Sequence, residues 1–149
     1  MKGITILKLK SFKDKRGEFV QLYQEAEWPR FVEEDISVSR KNVLRGLHGD
    51  HRTWKFVTCL QGEVFFAVVN PLTEEHKEVI LSEGNRFAVV IPPTLAIGYL
   101  ILTERAMVFY KQSTKYGEVK QMTIAWDDPK FGIPWPVKNP ILSERDKNA

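Results

Sequence analysis

One cysteine, Cys59, stands among 149 residues, so no disulfide can close within the chain. It lies in the apolar run Phe56-Val57-Thr58-Cys59-Leu60 and reads as a small buried hydrophobe. No apolar stretch approaches the ~18 residues of a membrane span. The N-terminus alternates Ile4, Ile6, Leu7 and Leu9 with Lys8 and Lys10, unlike the unbroken core of a secretion signal, which points to the cytoplasm. Blocks of like charge are missing. Lys and Arg exceed Asp and Glu by 22 to 19, a net +3 that suits an anionic small molecule but is too diffuse for nucleic acid. Repeats, linkers and low-complexity segments are missing too, and this length fits one domain, 1–149, with its own core.

Only three histidines occur, His48, His51 and His76. A metal centre of the three-histidine, one-carboxylate kind would need all three to converge. His48 and His51 are an odd three apart, which on a regular strand puts them on opposite faces. The expectation is no metal and no cofactor.

What the chain has is short β-prone segments between turn signals. Candidate strands are 4–9, 18–23, 31–39, 54–60, 63–70, 76–81, 86–91, 98–103, 106–113 and 119–125. Turns are marked by Arg16-Gly17, Gln61-Gly62, Asn70-Pro71, Gly84-Asn85 and Pro92-Pro93. Residues 24–28 offer the one helix start, cut short by Pro29. The pattern predicts an all-β sandwich or barrel. Prolines 129, 134, 136 and 140 predict an extended, irregular tail wrapped round the barrel. Val64-Phe65-Phe66-Ala67-Val68-Val69 and Phe87-Ala88-Val89-Val90-Ile91 lack polar alternation, so both their faces should be buried. A partner subunit would supply the outer layer, which predicts a homodimer.

Chemistry concentrates in Val43-Leu44-Arg45-Gly46-Leu47-His48-Gly49-Asp50 and Lys55. A guanidinium can grip phosphate, an imidazole can take a proton near neutral pH, and an ammonium can steady developing negative charge. An anionic substrate that must lose a proton needs that set.

The order of motifs resembles the dTDP-4-dehydrorhamnose 3,5-epimerase family. The resemblance is carried by Phe12-Lys-Asp-Lys-Arg16-Gly17, Ser37-Val-Ser39, Val43 to His48, Lys55 and Gly62-Glu63-Val64. It continues through Ile91-Pro92-Pro93, Phe109-Tyr110-Lys111, Trp126-Asp-Asp-Pro129, Ile133-Pro-Trp135-Pro136 and Ile141-Leu-Ser-Glu-Arg-Asp146. It implies a cupin-like jelly-roll barrel that dimerises and epimerises nucleotide-linked 4-keto sugars for deoxysugar or surface-polysaccharide synthesis. Gly49-Asp50, Thr53-Trp54-Lys55 and the Ser-Glu-Arg-Asp ending resemble a subgroup acting on GDP-linked 4-keto heptoses.

A 4-keto group acidifies the hydrogens on C3 and C5, and inversion needs a base on one face and an acid on the other. His48 is the candidate base. The resemblance implies that Asp146 bonds this histidine, that Lys55 lies near the enolate oxygen and that Tyr110 is the opposing acid. It also implies that Arg45 and Arg16 hold pyrophosphate, with Arg16 and Phe19 reaching the partner's site, and that Tyr116 stacks on the base.

Four positions depart from the family pattern. Ile97 stands where a second histidine is usual, and Phe66 where an aspartate is. Glu33 and Asp35 replace amides that help bind nucleotide or sugar. Losing the histidine and the aspartate together avoids a buried charge without its partner. The apolar replacements predict a remodelled pocket floor and proton exchange much faster at one flanking carbon than at the other, C3 ahead of C5, while inversion at C3, C5 or both stays open. A 3,4-ketoisomerase using the same base, and a catalytically silent nucleotide-sugar-binding cupin, stay open as alternatives.

Overall fold

A computed structural model describes residues 1–25 and 28–149. The helix expected over 24–28 falls partly outside the described residues. The strands are β1 (Thr5–Lys8), β2 (Lys10–Asp14), β3 (Gly17–Gln21), β4 (Glu33–Arg40), β5 (Leu44–Gly49) and β6 (Lys55–Gln61). There follow β7 (Glu63–Val69), β8 (His76–Ser82), β9 (Phe87–Ile91), β10 (Ala96–Ile101), β11 (Arg105–Gln112) and β12 (Met122–Thr123), then a short helix, α1 (Glu144–Lys147). One five-stranded sheet runs β1-β9-β6-β11-β4 and a second runs β12-β5-β10-β7-β8. The fold is an all-β, cupin-like barrel, and β2 and β3 form a separate hairpin. No helix among the described residues is long and apolar enough to cross a membrane.

The inward faces of the two sheets make the main core, with Val57, Val64, Phe66, Val89, Tyr99 and Val108 all at or below 2% exposure. Burying each such side chain contributes about 1.5–3 kcal/mol before entropy is set against it. The outward faces of the apolar strands are also buried, as expected, but the chain covers them itself. Phe131, Ile133 and Trp135 from the tail close over Val69, Ala96 and Leu47. Leu22, Tyr23, Trp28 and Phe31 close over Phe56, Ala88 and Val90. Two-sided burial therefore does not require a partner subunit here.

The expected segments 4–9 and 119–125 shrink to β1 and β12, and two strands go unanticipated. β2 lies in a charged stretch with little apolar alternation. β5, which carries the Arg45–His48 motif, contains two glycines, a residue that marks a turn as readily as a strand. Those glycines serve close strand approach instead. A Cβ on Gly46, where φ is +123°, would lie 2.5 Å from the Gly98 Cα, and one on Gly49 would lie 2.3 Å from the Leu95 carbonyl oxygen.

Pairing of β5 with β10 slips between Ile97↔His48 and Tyr99↔Arg45, so two residues on β5 oppose one on β10. In a regular strand, residues three apart face opposite ways. The bulge at Gly46-Leu47 turns Arg45 and His48 toward one side. His51 lies beyond the end of β5, so the opposite-face argument for His48 and His51 does not apply.

The tail runs mostly without regular structure, as its prolines predict, but it makes one specific attachment. Ile141 bridges to Val43, with Leu44 N–H donating to the Ile141 carbonyl at 3.0 Å and Ile141 N–H to the Asn42 carbonyl at 2.8 Å. That contact delivers α1 to the strand bearing His48. Ser143 caps α1, its hydroxyl accepting from the Asp146 N–H at 3.1 Å.

Candidate active site

A cavity of about 550 Å³ opens between the sheets, walled by β4, β5, β10 and β11, the start of β6, and the tail. It gathers His48, Lys55, Tyr110, Asp146, Arg45 and Tyr116 from five places in the chain, and is lined by Asp35 as well.

His48 Nε2 donates to Asp146 Oδ1 at 2.6 Å. Asp146 is 5% exposed, held in place by the Ser143 cap. An ionised carboxylate only accepts, so this bond keeps the imidazole proton on Nε2 and leaves Nδ1 with the lone pair. Burial lowers the His48 pKa below its ordinary 6.5, and the Asp146 charge opposes that shift without cancelling it. The imidazole is consequently neutral, and able to accept a proton, at pH 7.

Lys55 opens β6 with only 5% of its surface exposed. Its ammonium lies 3.8 Å from Asp50 Oδ2, a looser approach than a direct hydrogen bond. Burial lowers the Lys55 pKa, and Asp50 acts against it. Burial would raise the Asp50 carboxyl, but the Arg52 and Thr53 N–H groups, donating to Oδ1 at 2.9 and 2.7 Å, hold it below its usual range. Asp50 was read only as part of a motif; the structure makes it the counter-charge of a buried cation.

The Tyr110 hydroxyl donates to that of Tyr99, which bonds Ser37 Oγ at 2.7 Å. Burial pushes the Tyr110 phenol well above its ordinary pKa, so it is held as a proton donor. Arg45 Nε donates to Ser39 Oγ at 3.0 Å. No acceptor among the described residues engages its terminal amino groups, which suits them to an incoming anion.

Glu33 does not line the cavity. Its carboxylate accepts from the Tyr116 N–H at 2.9 Å and from Gln112 Nε2 at 3.3 Å, fixing the segment that carries Tyr116. Asp35 shares Gln112 at 3.3 Å and lines the cavity. Phe66 also lies away from the wall. It is fully buried and stacks on Tyr99, centroids 6.4 Å apart, so of the two apolar replacements only Ile97 lines the cavity. Arg16 and Phe19 are far from this role within one chain. They sit on the β2–β3 hairpin, Phe19 71% exposed and Arg16 paired with its neighbour Asp14 at 2.6 Å. Tyr99 was missed because an aromatic in an apolar strand reads as core, which its ring is.

A neutral imidazole, a protonated phenol, a buried ammonium and a free guanidinium around one cavity can remove and return a carbon-bound proton on an anionic substrate. The comparisons agree with that chemistry. The family model for dTDP-4-dehydrorhamnose 3,5-epimerase matches residues 1–149. A dTDP-4-dehydrorhamnose 3,5-epimerase of Shigella flexneri is 34% identical, over 98% of this chain and 89% of that protein. The structure is similar to dTDP-6-deoxy-D-glucose-3,5-epimerase of Legionella pneumophila, solved with dTDP-4-keto-L-rhamnose, at TM-score 0.90 and 32% identity over 98% of this chain and 86% of that one. It is also similar to a 3'-monoepimerase of Streptomyces bikiniensis, solved with dTDP-quinovose, at TM-score 0.90 and 25% identity over 99% of this chain and 82% of that one. The chain belongs to the dTDP-4-dehydrorhamnose 3,5-epimerase family.

Proposed function

We propose that residues 1–149 form one epimerase domain that inverts a carbon beside the ketone of a nucleotide-linked 4-keto sugar, with His48 as base and Tyr110 as acid. The observation that carries this reading is the His48–Asp146 pair, a neutral oriented imidazole sharing one cavity with the Tyr110 phenol. His48 takes the proton next to the carbonyl, Lys55 steadies the enolate oxygen, and Tyr110 returns a proton from the other face. Arg45 holds the diphosphate, and Tyr116, at the cavity mouth, stacks on the base. Incubated in D₂O with dTDP-4-keto-6-deoxyglucose, the protein is expected to place deuterium at C3 or C5, and His48→Ala to slow that by about 10³-fold. NMR of the recovered sugar reads both. Undiminished exchange in His48→Ala removes His48 as the base, and a carbonyl moved to C3 identifies a ketoisomerase instead.

The Ile97 floor supports inversion at a single carbon. A histidine there would add a second titratable group at the ring, whereas Ile97 adds none, and the related monoepimerase gives precedent for a single inversion.

We further propose a homodimer in which Arg16 and Phe19 complete the partner's site. Exposed Phe12 and Phe19 on the hairpin, and exposed Ile36 and Val38 on the edge strand β4, support it. Mixing His48→Ala with Arg16→Ala, each inactive alone, then rebuilds one intact site per mixed dimer. Random exchange of subunits is expected to restore about a quarter of wild-type activity. No recovery, with mixed dimers shown by mass spectrometry, places Arg16 in its own subunit's site or in none.

A further inference from the structure

We propose that Tyr99 is a positioning residue for proton return: with Ser37 it forms a hydroxyl chain that turns the Tyr110 proton toward the sugar carbon and stabilises the phenolate left behind. This rests on the epimerase reading above.

Packing explains the Tyr99 ring but not its hydroxyl. The ring is 2% exposed, stacks on Phe66 and sits among Ile97, Ile101 and Val108 in the core between the sheets. A phenylalanine would fill that space equally well without a buried polar atom to satisfy. The hydroxyl instead joins Tyr110 to Ser37, and all three residues line the cavity. As the chain stands, Tyr110 donates to Tyr99, so the Tyr110 proton points away from any substrate. A hydroxyl both donates and accepts, so the chain can run the other way, Ser37 to Tyr99 to Tyr110.

The reversed direction matches the step. As the enolate collapses, its oxygen re-forms the carbonyl and the electron pair at carbon takes the Tyr110 proton. The Tyr110 O–H bond breaks and its electron pair stays on the phenolate, which accepts a hydrogen bond from Tyr99. Protons then move from Tyr99 to Tyr110, from Ser37 to Tyr99 and from water to Ser37. His48 releases its proton to water, and the enzyme returns to its starting charge. Ser37 is half-exposed at the cavity wall, which gives the chain its contact with solvent.

The test is Tyr99→Phe, which keeps the ring stack, with Ser37→Ala as a second variant one link further out. The readout is the ratio of deuterium exchange to inversion for dTDP-4-keto-6-deoxyglucose in D₂O. Exchange with retention needs only His48, which can return deuterium to the face it came from; inversion needs Tyr110. Tyr99→Phe is expected to hold KM within about twofold and to raise the exchange-to-inversion ratio about tenfold or more. Ser37→Ala is expected to move it the same way by less. An unchanged ratio in both variants overturns the proposal, as does a parallel fall in exchange and inversion, the mark of a general structural loss. Absence of exchange in the wild-type protein overturns the epimerase reading and this proposal with it, so the two failures are distinguishable.

Discussion

Replacing Asp146 with Asn is expected to lower kcat by about 10²–10⁴-fold, by analogy with the aspartate of a Ser-His-Asp triad, while KM changes little. The substitution conserves shape and the Ser143 cap, so secondary structure should persist. What changes is the direction of one hydrogen bond. An asparagine can present its amide N–H to His48 Nε2, which moves the imidazole proton to Nδ1 and removes the lone pair proposed to act as base. It also deletes the negative charge that favours the imidazolium formed in the step. The pH profile supplies a second measurement. His48 must be neutral to act, and burial lowers its pKa, so the acid limb of kcat/KM in the wild-type protein should lie below pH 6.5. Asp146 opposes that shift, so in Asp146→Asn the limb should move lower still. A limb above 6.5 in the wild type would contradict the assignment of His48 as a base kept neutral by burial.

Asp50→Asn is expected to reduce stability by about 3 kcal/mol and activity by about 10²-fold. Both residues of the pair are almost fully buried, so the ammonium of Lys55 would lose its counter-charge in a place water scarcely reaches. Burial already lowers the Lys55 pKa, and among the described residues Asp50 is the charge that acts against it. Removing Asp50 lowers it further and weakens the cation proposed to steady the enolate oxygen. The double variant Asp50→Asn/Lys55→Met separates the two effects. It leaves no unpaired charge, so denaturant titration should show most of the lost stability restored, while kinetics should show activity still lost. Stability left low in the double variant would mean that Asp50 acts through the amides of Arg52 and Thr53 and not through Lys55.

Parts of this architecture are legible locally. Runs such as Phe87–Ile91 announce buried strands by composition alone, and β9 occupies nearly the span expected for it. β5 is not legible, because glycine is ambiguous. The same residue marks a turn or permits two backbones to approach, and only Gly98 across the sheet shows which applies at Gly46. The four-residue α1 is too short to leave a periodic pattern, and it holds its place through the Ser143 cap and the bridge at Ile141.

By itself, the sequence determined the all-β class, the residue types for proton transfer and anion binding, and, through the order of its motifs, the family. These follow from side-chain chemistry and short-range patterning, which belong to each segment separately. Tertiary structure decided which groups meet. The β5 bulge turns Arg45 and His48 to one cavity, and Asp146 reaches His48 across 98 positions of chain. The chain's own tail covers a face that local apolarity assigned to a second subunit. The Tyr99 hydroxyl, on a ring that packs as core, lies between Ser37 and Tyr110. Strand register, bulges and tail docking are set by pairings between distant segments, so no window of sequence contains them.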